Sequence, residues 1–262
     1  MKPSAAWVMG WRARVSAWQL RLTCLLLLAG SLAMTGCASS PMANPADPLE
    51  PFNRTMFEFN DALDRGIVKP VATGYREVVP ELARKGVGNF FNNLRDVWSG
   101  VNNLLQLKAE GAANSFMRVV VNTTAGLAGV LDVATEMGIE RYTEDFGQTL
   151  GYWGIGAGPY IVLPVLGPST LRDTVALPAD WRGDLVSWQE NVALRNSLWV
   201  LRAIDNRARL LRLGDVLEDA ALDKYTFVRD AFLQRRRNQV YDGNPPEEPE
   251  VNGPGADRQA PR

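Results

Sequence analysis

The sequence predicts a mainly α-helical fold, a single domain interrupted by one glycine-rich irregular segment. Three observations carry this. Apolar residues recur at helical spacing along most of the chain, only one short run reads as β, and one long stretch holds glycine and proline but no charge. At 262 residues, 46% hydrophobic and 22% charged, the chain has material for one sizeable core.

The elements follow in order. Asp47-Pro48-Leu49-Glu50 combines a capping acid, a proline at the first helical position and a glutamate three residues after the cap. Phe52, Met56, Phe59 and Leu63 then mark one apolar helical face. Pro80 opens another helix, with Val87, Phe90, Phe91 and Leu94 on a stripe that Val97, Val101, Leu104 and Leu105 continue. A further helix is expected over about 107–121, followed by a glycine-rich apolar stretch at 125–134. Long helical patterns cover about 185–213 and 218–238, and Tyr160–Leu163, bracketed by Pro159 and Pro164, is the β-like run. Residues 47–240 contain no internal linker, and 241–262 read as a disordered acidic tail rich in Pro and Gly.

Composition excludes several function classes. The chain has no His, so no Ser-His-Asp or Cys-His nucleophile and no His-ligated metal is expected. Two Cys cannot form a four-cysteine site, and no cofactor motif is present. A net charge of −1 argues against nucleic acid held by bulk electrostatics.

Residues 1–36 carry Lys2, Arg12, Arg14 and Arg21 and no acid, then a short apolar run at Cys24–Leu28 and small residues. That is the layout of an export signal, too short for a membrane span. It ends at Met34-Thr35-Gly36-Cys37, which resembles a bacterial lipobox with Met34 where Leu is commonest. The resemblance implies a diacylglyceryl group on the Cys37 thiol, cleavage after Gly36 and acylation of the new amine. Several acyl chains anchor a protein stably. Residues 37–46 then form a tether, and Ala38 rather than Asp after the anchor favours the outer membrane.

From Phe146 to Leu171 there is no charged residue, over a length beyond the ~20 residues that span a bilayer. Gly147, Gly151, Gly154, Gly156, Gly158 and Gly167 with Pro159, Pro164 and Pro168 forbid a regular helix. Two readings stay open: the wall of a polar passage, or a glycine-rich loop buried in a packed core.

Together these segments resemble the MlaA (VacJ) family of outer-membrane lipoproteins. The resemblance rests on four ordered blocks: Asp47-Pro48-Leu49-Glu50 with Phe52-Asn53-Arg54, Phe57 and Phe59-Asn60; Asn89-Phe90-Phe91-Asn92-Asn93-Leu94 with Asn102 and Leu104-Leu105-Gln106; Arg118 with Asn122-Thr123-Thr124, Gly126, Gly129 and Asp132; and Phe146-Gly147-Gln148-Thr149-Leu150-Gly151 with Gly158-Pro159-Tyr160, Leu163-Pro164, Gly167 and Leu171-Arg172-Asp173. Val228-Arg229-Asp230-Ala231-Phe232 is a later echo. Two departures are Arg95-Asp96-Val97-Trp98, where the family often has proline, and Val119, where it often has an aromatic; both concern local packing.

The resemblance implies a helical, ring-like protein embedded in the inner leaflet of the outer membrane, on its periplasmic face. An amphipathic channel through it removes phospholipid from the outer leaflet and passes it to a soluble periplasmic carrier, maintaining lipid asymmetry. Trimeric porins are implied partners. Gly147, Gln148, Thr149, Gly151, Gly154, Gly156 and Gly158 are the candidate channel wall, with backbone turns as their alternative role. Arg54 and Arg172 are candidates for headgroup contact, against structural ion pairs. Rival functions are a phospholipase, for which no catalytic motif is present, and an envelope scaffold.

If Cys37 is the lipid acceptor, Cys37→Ser will leave an uncleaved or mislocalised protein that incorporates no palmitate on metabolic labelling. Label persisting on the variant would remove the lipobox assignment.

Overall fold

A computed structural model describes residues 47–220 and 222–247. The signal segment 1–36, Cys37, the tether 37–46 and the tail beyond 247 therefore lie outside the described residues. Helix α1 (Glu50–Leu63) runs through a π turn (Asp64–Val68) into α2 (Lys69–Val78). Pro70 explains the wide turn, because it has no N–H to give to the carbonyl four residues earlier. The expected start is corrected: Leu49 is the N-cap without a side-chain bond. Asp47 is instead buried, accepting from Asn53 Nδ2 at 3.0 Å, from the Tyr225 hydroxyl and from Arg229 at 3.5 Å. A buried carboxylate gains more from charge-assisted bonds than from a single cap.

Helix α3 (Glu81–Leu105) unites the two expected stripes in 25 residues, and α4 (Ala109–Thr124) packs antiparallel to it through a short connection. A four-residue helix, α5 (Val133–Glu136), is capped by Asp132, and α6 (Phe146–Tyr152) by Asp145. Strands β1 (Tyr160–Leu163) and β2 (Gly167–Thr170) form an antiparallel hairpin in the register Tyr160↔Thr170 and Leu163↔Gly167. β2 is a strand that its Gly-Pro-Ser-Thr sequence does not announce; β1 recruits it, and Pro168 is tolerated because each strand has an outer edge. Helix α7 (Leu171–Gly183), a 3₁₀ turn (Leu185–Trp188), α8 (Val192–Ala220) and α9 (Lys224–Val240) complete the chain.

The asparagines of the first block act as strand edges. Asn53 Nδ2 donates to the Tyr160 carbonyl at 3.0 Å and its Oδ1 accepts from Val162 N–H at 2.9 Å. Two turns along α1, Asn60 does the same to Leu163 O at 2.9 Å and Val165 N–H at 2.7 Å. The helix thus grips both ends of β1. Contacts then run from α1 to the hairpin, to α7, to the 3₁₀ turn, to α8, to α2 and back to α1, a closed circuit.

Much of what the fold buries is polar. α3 buries Asn93, Asp96, Ser99, Asn102 and Asn103, while Leu104 and Leu105 of its apolar stripe are exposed. The helical period was readable, but the stripe is not the buried face. Arg118 is 1% exposed; it donates to both Asp132 oxygens at 2.7 and 2.9 Å and to Asp96 at 3.4 Å, and Arg141 reaches Asp96 at 3.2 Å. Outside, Leu82 and Leu107 are 81% and 87% exposed, as are many other large apolar side chains to lesser degrees. Among the described residues no helix is long and apolar enough to cross a membrane. An apolar jacket around a polar interior suits hydrocarbon surroundings on the outside.

At the far end, Lys108 bridges Glu144 at 3.1 Å and Asp242 at 2.6 Å, so the first tail residues are packed rather than loose.

Arg118→Ala leaves two carboxylates to share Arg141 in a dry interior. We expect a loss of about 3 kcal/mol, read by denaturant unfolding in detergent; a change under about 1 kcal/mol would show that surface-like pairs suffice there.

Candidate functional site

A cavity of about 510 Å³ lies between α3, α6, α7, α8 and α9. α3 contributes Leu94, Arg95 and Trp98; the approach to α6 contributes Thr143, Glu144 and Asp145, and α6 itself Gln148. α7 contributes Leu177, Asp180 and Trp181, α8 contributes Trp199, Arg202 and Asn206, and Gln239 closes the wall from α9. Spacings of three and four put each set on one helical face. Aromatic and aliphatic surface alternates with fixed charge, so the lumen is amphipathic.

Its acids are held by the wall. Trp98 Nε1 and Phe146 N–H both donate to Asp180 Oδ1 at 2.8 Å; burial still raises that carboxyl above the ordinary range. Glu144 is likewise raised by burial, against the opposing pull of Gln106 and Lys108. Burial would raise Asp145 too, but two Arg236 bonds of 2.6 Å outweigh it and hold it low. Asp184 pairs with Arg202 at 2.5 Å, and Arg202 lies 4.0 Å over the Trp199 ring. Trp98 packs so closely on Gly183 that a Cβ there would lie 2.1 Å from the ring.

A second cavity of about 350 Å³ opens between the 151–157 loop and α9. Arg236 lines this second cavity and links it to the first, bonding Asp145 in the wall of the first and Asp173, in the first turn of α7, at 2.8 Å. The residues singled out in the sequence divide between these places. Gln148 lines the central cavity. Gly147 and Thr149 are packed in the partition: a Cβ on Gly147 would lie 2.5 Å from Arg236, and the Thr149 hydroxyl donates to Asn102 at 2.8 Å. Gly151, Gly154, Gly156 and Arg172 line the second cavity. Gly158 takes φ +67° against Leu171. Arg172 pairs with Asp173 at 3.0 Å. Arg54 lies in neither cavity and joins α1 to the cap of α9, bonding Glu50 at 2.8 Å and Asp223 at 2.7 Å; its bonds hold the Asp223 carboxyl far below the usual range.

Sequence reasoning missed most of the central lumen. Arg95 stood out only within a departure in a motif, the face on α8 was visible as a period without a direction, and α7 was not read as a helix.

These features define a mainly helical protein with many exposed apolar side chains and a polar, partly aromatic cavity. The chain belongs to the MlaA lipoprotein family, whose model matches residues 45–239. It is 41% identical over 224 residues to the intermembrane phospholipid transport system lipoprotein MlaA of Escherichia coli (strain K12), covering 83% of this chain and 87% of that one. It is 34% identical over 234 residues to the protein of the same name from Haemophilus influenzae, covering 84% and 91%. A solved structure described as the structural basis for maintenance of bacterial outer membrane lipid asymmetry superposes with a TM-score of 0.66 at 38% identity, over 76% of this chain and 99% of that chain.

The partition and the second cavity respond differently to one methyl group. Gly147→Ala displaces Arg236 from its carboxylates and is expected to cost about 1–3 kcal/mol. Gly156, with no atom within 4 Å of a built Cβ, should accept Ala within about 0.5 kcal/mol. Unfolding of both variants in detergent reads the contrast; equal stabilities would contradict this packing.

Proposed function

We propose that this protein moves phospholipid between the outer leaflet of the outer membrane and the periplasmic side, through the central cavity, and so maintains lipid asymmetry. The observation that carries the reading is the amphipathic lumen inside an apolar jacket. A headgroup crossing hydrocarbon must shed its water, at a cost of many kcal/mol. A lumen with fixed polar groups supplies an alternative path, while Leu94, Leu177 and the tryptophans suit acyl chains. No covalent bond changes, so the role is that of a conduit and not an enzyme. Relatives named as intermembrane phospholipid transport lipoproteins support the same reading.

The body sits in the inner leaflet of the outer membrane, held also by acyl chains on Cys37. Trimeric porins brace it there, and a soluble periplasmic carrier receives the lipid. Gln148 belongs to the wall of this passage, and the glycine strip of 151, 154 and 156 to a flanking chamber that faces α9.

Asn206 lines the cavity from α8 and, among the described residues, makes no side-chain hydrogen bond, so Asn206→Trp fills the lumen with little cost to folding. The expected result is wild-type protein level in the outer membrane with phospholipid accumulating in the outer leaflet. Normal asymmetry would remove the central cavity as the passage. Gly156→Trp, made in parallel, asks the same of the second cavity; normal asymmetry in both would favour a scaffold.

A further inference from the structure

Charged groups in the lumen are almost all neutralised from within the protein. Glu144 has Lys108 and Gln106, Asp145 has Arg236, Asp184 has Arg202, and Asp180 has two N–H donors. Arg202 is further held by stacking on Trp199. Arg95 is the exception: among the described residues it lines the cavity with neither a hydrogen bond nor an ion pair. Its neighbour Asp96, about 100° round α3, turns instead into the Arg118 cluster.

Arg95 is open to the lumen yet hemmed by its walls. Burial lowers its pKa from the ordinary arginine value, the nearby Arg202 charge lowers it further, and Asp184 and Asp96 attract it only through space. Its five donors have no protein acceptor and remain available to a ligand anion. The planar guanidinium fork matches two oxygens of a phosphate. Because Arg202 is already matched, the lumen offers a single unmatched positive charge, which suits a monoanion better than a dianion.

We propose that Arg95 is the anion-binding group of the central cavity and takes the phosphodiester of a phospholipid headgroup while the acyl chains lie along Leu94, Leu177 and Trp98. This rests on the reading of the cavity as the lipid passage. One cation, not a cluster, gives a contact that orients the headgroup and still releases it. Arg95 also sets a preference: a lipid with phosphate is held in the lumen, and one without is not.

The test uses the full lipidated protein in detergent, titrated by tryptophan fluorescence, with Trp98, Trp181 and Trp199 in the lining as reporters. The probes are short-chain phosphatidylglycerol, the matching short-chain diacylglycerol, and inorganic phosphate. Arg95→Gln should weaken phosphatidylglycerol binding about tenfold or more, leave diacylglycerol binding unchanged, and be partly rescued by Arg95→Lys. In cells, Arg95→Glu should accumulate surface phospholipid at wild-type protein level.

Unchanged phosphatidylglycerol affinity in Arg95→Gln overturns the proposal. So does inorganic phosphate binding as tightly as the lipid, which would mark a site for the free ion. Loss of folded protein in both Arg95→Gln and Arg95→Lys would make Arg95 a structural group and overturn it too. If Asn206→Trp blocks passage while the Arg95 variants bind and transport normally, the passage stands and this site falls. If Asn206→Trp has no effect, the passage falls and the titration still decides Arg95.

Discussion

Helices that face hydrocarbon gain little by burying apolar side chains against one another, since lipid tails are equally apolar. What holds them must then be close packing and polar bonds whose alternative is an unsatisfied group. The joint between α3 and α4 obeys this constraint. Arg118, Asp96, Asp132 and Asn122 satisfy one another in a dry interior. Small residues let the helices approach: Gly100 sits where a Cβ would be 2.8 Å from the Phe116 ring. Apolar side chains are thereby released to the outside.

The same logic builds the rest of the circuit. Asn53 and Asn60 supply β1 with strand-like partners, so a two-stranded hairpin, marginal by itself, becomes fixed to α1. Arg236 joins α9 to the cap of α6 and the first turn of α7. Each joint is a polar contact between distant segments, and together they keep the centre of the molecule from collapsing into a packed core. The cavity is what remains between them.

A conduit needs walls that are polar but not sticky. Acids matched from behind by Lys108, Arg236 and Arg202 keep the lumen polar without presenting strong free charges to a passing headgroup. Aromatic and aliphatic faces beside them accept acyl chains. Arg95, unmatched, gives this otherwise balanced surface one place where an anion is preferred.

Helices with a clear apolar stripe were legible because 3.6-residue periodicity is local, and the lipobox-like string ending at Cys37 is likewise a linear pattern. The break at 146–171 was legible because proline and glycine act on the backbone where they stand. Periodicity says which residues share a face, not what that face meets. Core and lipid both accept apolar side chains, so the inward turn of the Asn and Ser face of α3 could not be read from the chain. Asp47 looked like a cap because its true partners, Tyr225 and Arg229, lie far along the sequence. β2 carries no propensity of its own and exists because β1 pairs with it. The run from Gly147 to Gly156 read as one wall, whereas α6 turns its residues between a cavity, a partition and a second cavity. The sequence by itself therefore determined the family and the helices with a clear apolar period, while α2, α6 and α7 emerged only in the structure. Tertiary structure alone decided which side is polar and which charges are matched, because both depend on partners that no local pattern encodes.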